Sequence, residues 1–141
     1  MEKYIVRQSV NIKAKPDQVW DALTNPKKTK DYFFNCEILS NWEKGSSITF
    51  KGKLFWVFPI ELKGVIEDIE KNKLLKYTLS NGKSNTHSTV TDELSYDNGI
   101  STLSITDDVG QGEGAKKRYK KSVKGWEKVL RGLKELVEEG K

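Results

Sequence analysis

One cysteine and one histidine stand among 141 residues, and these two scarcities remove whole classes of chemistry. Cys36 alone excludes an intramolecular disulfide and any multi-cysteine metal cluster. His87 alone excludes a two-histidine zinc site. The longest apolar run, Leu54 to Ile60, is far short of the ~20 residues needed to cross a bilayer, so no membrane insertion is expected. The opening MEKYIVRQSV lacks the basic-then-apolar order of a signal peptide, and the expected location is cytoplasmic. Repeats, low-complexity tracts and linkers are also missing, so residues 1–141 are read as one domain.

Apolar residues are scarce at 35%, against 32% charged. The deficit is offset by 4 Trp, 5 Tyr and 5 Phe, which bury much area per residue and argue against disorder. The balance of 25 Lys+Arg against 20 Asp+Glu gives +5. The positive charge gathers at Lys27, Lys28 and Lys30, and again between Lys116 and Lys124. No helix-turn-helix, aromatic strand motif or zinc module accompanies it, so these clusters are read as solvated faces and no nucleic-acid partner is expected.

Catalytic signatures are few. No Gly-x-Ser-x-Gly elbow exists to pair with His87, which is expected to open a strand at the sheet's edge. Cys36 is read as a small buried hydrophobe. Gly110, Gly112 and Gly114 precede a helix but lack the Lys-Ser/Thr of a phosphate loop and a surrounding βαβ unit. Asp107-Asp108 is read as loop and helix cap. Glu67 and Asp68, adjacent in a strand, are expected on opposite faces. No catalytic residue and no cofactor is assigned.

Periodicity supplies the architecture. Tyr4, Val6, Val10 and Ile12 alternate with Arg7, Ser9, Asn11 and Lys13, the pattern of a half-buried strand in which Gln8 needs a polar partner. Pro16 suits a helix first turn, and Val19, Trp20 and Leu23 give helical spacing to Thr24. Asn25-Pro26 ends that helix and caps a second one through Asp31. Strand patterns follow: a hairpin within Gly45–Phe58 with Gly52 near its turn, a pair around Lys71-Asn72-Lys73, and a hairpin around Asp97-Asn98-Gly99. From Ala115 to Glu139 the period becomes helical, with Tyr119, Val123, Trp126, Leu130, Leu133 and Val137 on one stripe. A meander with one apolar face must cover it, and only the final helix is large enough. The expected fold is α+β: a curved antiparallel sheet of six to seven strands around a long C-terminal helix, with two short helices after strand 1. Gly125 and Gly132 mark either close approach of that helix to the sheet or missing volume beside a cavity.

The stretch Ala14-Lys15-Pro16-Asp17-Gln18-Val19-Trp20-Asp21-Ala22-Leu23-Thr24-Asn25-Pro26 resembles the opening of the START-like (SRPBCC) superfamily. Gly125-Trp126-Glu127-Lys128-Val129-Leu130-Arg131-Gly132-Leu133-Lys134 is similar to the Gly-Trp helix of one family within it, named after the C-terminal domain of the activator of heat-shock protein 90 ATPase. Gly64-Val65-Ile66-Glu67 and Val90-Thr91-Asp92-Glu93-Leu94 fall where that family places strands. The resemblance implies the helix-grip fold, with a hydrophobic cavity between sheet and helix that takes small apolar or amphipathic molecules.

Three functions follow in order. The first is a non-enzymatic binding domain for a small hydrophobic ligand. Tyr119, Val123, Trp126 and Leu130 would form one wall, and Phe50, Trp56 and Tyr77 another. Trp20 and Phe33 complete the apolar lining, and Asp92, which shares parity with Val90 and Leu94, is an inward carboxylate needing a partner. Asp92 has three alternatives: a polar cavity patch, contact with Arg7 or Lys76, or a bulge that turns it outward. The second function is a chaperone-associated interaction domain of the stress response. The third is an enzyme of the cyclase or hydrolase kind.

Overall fold

A computed structural model of the chain describes residues 4–54, 58–80 and 87–140, without the side chains of residues 53, 54, 58–60 and 87. The order is β1 (Ile5–Ile12), α1 (Pro16–Thr24), α2 (Pro26–Tyr32), β2 (Glu37–Ser40), β3 (Ser47–Leu54), β4 (Phe58–Glu70), β5 (Leu74–Ser80), β6 (His87–Asp97), β7 (Ile100–Asp108) and α3 (Ala115–Glu138). All seven strands join one antiparallel sheet in the order β1-β7-β6-β5-β4-β3-β2. Only one link departs from a simple meander: β1 pairs with the last strand, so the chain's first strand lies beside its seventh.

Local chemistry sets the element ends. Pro16 and Pro26 each begin a helix, where a missing N–H costs nothing. Asn25 Oδ1 accepts from the Lys27 backbone N–H and caps α2. Asn72 and Asn98 take positive φ in the β4–β5 and β6–β7 turns, where Asn tolerates the left-handed region. Gly114 does the same at the start of α3, and Arg118 holds the preceding loop by donating to the carbonyls of Val109 and Glu113. Arg118 is thus a loop clamp within the basic cluster.

The apolar stripe of α3 faces the sheet. Trp126, Val129, Leu130, Leu133 and Leu136 are buried with Ile48, Phe50, Ile66, Val90, Leu103 and Ile105 from the strands. The backbone of α3 runs against β1 and also touches α1 and α2. Its C-terminal end is pinned to β1's end: Glu138 accepts from the Lys13 backbone N–H at 2.9 Å and pairs with Lys134, which also donates to the Asn11 carbonyl. That backbone bond, then Lys134, holds the Glu138 carboxyl below its usual range.

Four local readings differ from expectation. The hairpin expected within Gly45–Phe58 turns later than Gly52, which instead pairs with Ile60. A Cβ on Gly52 would lie 2.7 Å from the Asn35 carbonyl oxygen, so close packing and not turning explains that glycine. The short strand β2 has no counterpart among the expected ones, because four residues are too few for alternation to register. A β-bulge between Ile66 and Asp68 leaves both Glu67 and Asp68 exposed, which overturns the strict parity assumed for them. His87 begins β6, an interior strand paired with β5 and β7, and not an edge.

Candidate functional site

The space between α3 and the sheet divides in two. A small enclosed cavity of about 20 Å³ lies in the core, bordered by Phe33, Phe50, Tyr77, Asp92, Trp126 and Leu130 among others. That is room for roughly one water molecule. Beside it an open cleft of about 290 Å³ runs between α3 and strands β5–β7, with Phe34, Leu79, Val90, Asp107, Ser122 and Gly125 on its walls. Phe33, Tyr77, Trp126 and Val129 border both spaces, so the two are neighbours across one aromatic wall.

That wall comes from three parts of the chain. Phe33 ends α2 and packs edge-on against Trp126 at 5.8 Å between centroids. It also meets Phe50 of β3 at 5.2 Å, and Phe50 meets Tyr77 of β5 at 5.7 Å. Phe34, next in sequence, adopts φ 49° and is 53% exposed at the cleft. A bulky residue with positive φ is uncommon.

Two carboxylates point into this apolar space. Asp92 on β6 is 5% exposed and its Oδ1 has no hydrogen-bond partner among the described residues. Burial, then the charge of Asp107, pushes its carboxyl up from 3.8 to about 7. Asp107 on β7 is 6% exposed. Its Oδ2 accepts from Ser122 Oγ at 2.6 Å and Trp126 Nε1 at 2.9 Å, while its Oδ1 is also without a partner. Burial, then Asp92 and Asp107, drives the Tyr77 hydroxyl well above its usual range. Burial and Asp92 do the same to Tyr32, whose hydroxyl donates to the Ala22 carbonyl at 2.7 Å.

Of the candidate residues named from sequence, Phe33, Phe50, Tyr77, Asp92, Trp126 and Leu130 meet around the enclosed cavity. Trp20, Tyr119 and Val123 border neither space. Trp20 is packed in the core from α1. Tyr119 stacks on Tyr4 at 5.7 Å, and the Val123 carbonyl accepts from Gln8 Nε2 at 2.9 Å. Both lie on the side of α3 that meets the β1 end of the sheet, whereas the helix wall of the cleft comes from Lys121, Ser122, Gly125, Trp126 and Val129. One broad apolar stripe serves both sides, so periodicity alone does not separate them. Trp56 falls outside the described residues.

Asp92 settles among its three alternatives by facing the cavity: Lys76 pairs with Glu67 instead, and Arg7 is exposed. Asp107 corrects the loop-and-cap reading, since β7 continues through Asp108. The missed signal was parity, for Asp107 lies two residues beyond inward-facing Ile105. Cys36 is buried, which raises its thiol pKa and leaves it a small hydrophobe. Among the described residues no cluster of His, Cys, Asp and Glu could hold a metal, and no helix is long and apolar enough to cross a membrane.

The family model described as "Activator of Hsp90 ATPase homolog 1-like protein" matches residues 13–138. The solution structure of ChR145 from Cytophaga hutchinsonii is 30% identical, covering 99% of this chain and 97% of that one, with TM-score 0.79. MLL2253 from Mesorhizobium loti is 20% identical with TM-score 0.82, covering 97% and 98%. NE0264 from Nitrosomonas europaea is 15% identical with TM-score 0.81, covering 96% and 95%. The last two likenesses are of fold alone. No curated protein matches. Sheet, grasped helix and paired short helices together make the helix-grip fold.

Proposed function

This chain belongs to the Activator of Hsp90 ATPase homolog 1-like family, and from that premise we propose that it binds a small apolar or amphipathic ligand in the cleft between α3 and the sheet. The observation that carries the reading is the aromatic-walled cleft of about 290 Å³, mostly apolar, with Asp107, Ser88, Ser122 and Lys121 as its polar groups and Asp92 behind the wall at the enclosed cavity. Ligand sites are mostly apolar with a few orienting polar groups, at volumes from about 300 Å³ upward. Affinity would come from apolar burial at about 25 cal/mol per Å². Phe33, Tyr77 and Trp126 would hold the apolar part. Phe50 and Leu130, behind them at the enclosed cavity, would be reached only by a ligand that displaces the aromatic wall. Trp20, Tyr119, Val123 and Trp56 have no assigned contact in this reading.

Titration with fatty acids, flavonoids, alkyl alcohols and alkyl amines, following Trp fluorescence and Tm, tests it. Binding at a hundredfold excess over Kd stabilises by about 2.7 kcal/mol, a Tm rise of several degrees. No shift with any class overturns the reading.

A second reading is favoured by the small enclosed volume and by the family description: an interaction surface for an Hsp90-type chaperone. It would use the basic outer face of α3, where Lys116, Lys117, Lys120, Lys121 and Lys124 are exposed. Salt-sensitive retention of purified Hsp90, without any small-molecule shift, would select it.

A further inference from the structure

Two buried carboxylate oxygens without partners need an explanation, because burying such atoms is costly. Asp92 lies opposite Ile105 and Asp107 opposite Val90 on adjacent strands. The two acids therefore occupy diagonal positions on one face of the sheet, on the order of 7–8 Å apart. Asp92 borders the enclosed cavity and Asp107 the open cleft, on either side of the shared aromatic wall. Neither makes an ion pair among the described residues. The groups facing them are Tyr32, Tyr77, Ser122 and Trp126, with Lys121 on the cleft wall. Ser122 and Trp126 both donate to Asp107 Oδ2, which leaves its Oδ1 and that of Asp92 as buried acceptors without a partner.

We propose that the ligand of this cleft carries a cationic, hydrogen-bond-donating head group, of the alkylammonium class, which displaces the aromatic wall to reach the Oδ1 atoms of Asp107 and, behind it, Asp92, while its apolar tail lies along Phe33, Tyr77 and Trp126. This rests on the ligand-binding reading above and names the chemistry of the same site. A cation supplies donors to both orphaned oxygens and neutralises two like charges held in apolar surroundings. An anionic head group would place a third negative charge there, so a fatty acid is the disfavoured partner. A neutral alcohol supplies one donor and no charge. Charge-assisted hydrogen bonds outweigh neutral ones by enough to separate these arms about tenfold.

The test compares octylamine, octanol and octanoate on the full chain at pH 8, with Kd read from Trp fluorescence and calorimetry. Octylamine is expected to bind about tenfold or more tightly than octanol, and octanoate most weakly. In Asp92→Asn and Asp107→Asn chains the amine-over-alcohol preference should collapse toward one. The wild-type pH profile is a second measurement that needs no variant. An alkylammonium keeps its proton to roughly pH 10, like lysine, whereas Asp92 takes one up below about 7, so amine affinity should fall several-fold from pH 8 to 5.5. Octanol or octanoate binding as tightly as octylamine overturns this inference and leaves the ligand-binding reading standing. An amine preference that survives both substitutions or ignores pH also overturns it. Binding of none of the three, nor of any other class titrated, overturns both.

Discussion

Asp92 is where sequence, burial and chemistry meet most sharply at the scale of one residue. Its carboxyl moves from 3.8 to about 7, first through burial and second through Asp107. Between about pH 4 and 7 the folded chain keeps a proton that the unfolded chain has released, so rising pH works against the fold over that window. Below about 4 both states are protonated and the contribution is whole; above about 7 it is lost. A shift of this size corresponds to on the order of 4 kcal/mol. Asp92→Asn removes the titration. Urea unfolding of both chains should show the variant gaining on wild type by up to that order between pH 4 and 8, and a gap that does not change with pH would contradict this. The inward orientation of Asp92 was legible in the sequence, because Val90 and Leu94 share its parity and are buried. Asp107 obeys the same rule but was hidden by its neighbour Asp108 and the glycines beyond, which mimic a loop. Nothing local marks where a strand ends when its last residues are acidic.

At the scale of elements, α3 carries the contrast that sequence could state but not resolve. Gly125 and Gly132 are one heptad apart, yet they meet different surroundings. A Cβ on Gly132 would lie 2.9 Å from the Cβ of Tyr32, an atom too near its own backbone to yield. The close approach is thus between α3 and α2, not between helix and sheet. A Cβ on Gly125 would find Phe34 Cζ at 3.6 Å, an ordinary contact at the cleft wall. Ala is favoured over Gly in a helix interior by about 1 kcal/mol. Gly125→Ala should therefore stabilise by roughly 0.5–1 kcal/mol, while Gly132→Ala should destabilise by about 1–2 kcal/mol despite the same propensity gain. Urea unfolding of the two variants checks the opposite signs; stabilisation in both would refute the packing between α2 and α3. The bounds of α1 and the course of α3 were readable from proline placement and a long apolar stripe. The bulge at Glu67 was not, since an inserted residue leaves no trace in composition.

Over the whole molecule, the helix-grip design leaves an aromatic-walled gap where α3 crosses strands β5–β7. The enclosed part is nearly filled by aromatic rings, and the open part is where volume survives. The sheet's inner face and the helix stripe were legible because both repeat. The cleft was not, because it depends on Phe33 and Phe34 at the end of α2 and on a small residue, Gly125, facing them. These lie far apart in sequence and follow no period. A ligand seated there would contact Trp126 and spare Trp20, which is buried in the core away from both spaces. The most direct measurement is the indole N–H resonance of each tryptophan during an octylamine titration of the ¹⁵N-labelled chain. The expected result is a saturable shift of the Trp126 Nε1–H, whose bond to Asp107 lies at the cleft, with Trp20 unmoved. Saturation that moves Trp20 and leaves Trp126 in place would contradict a ligand between helix and sheet.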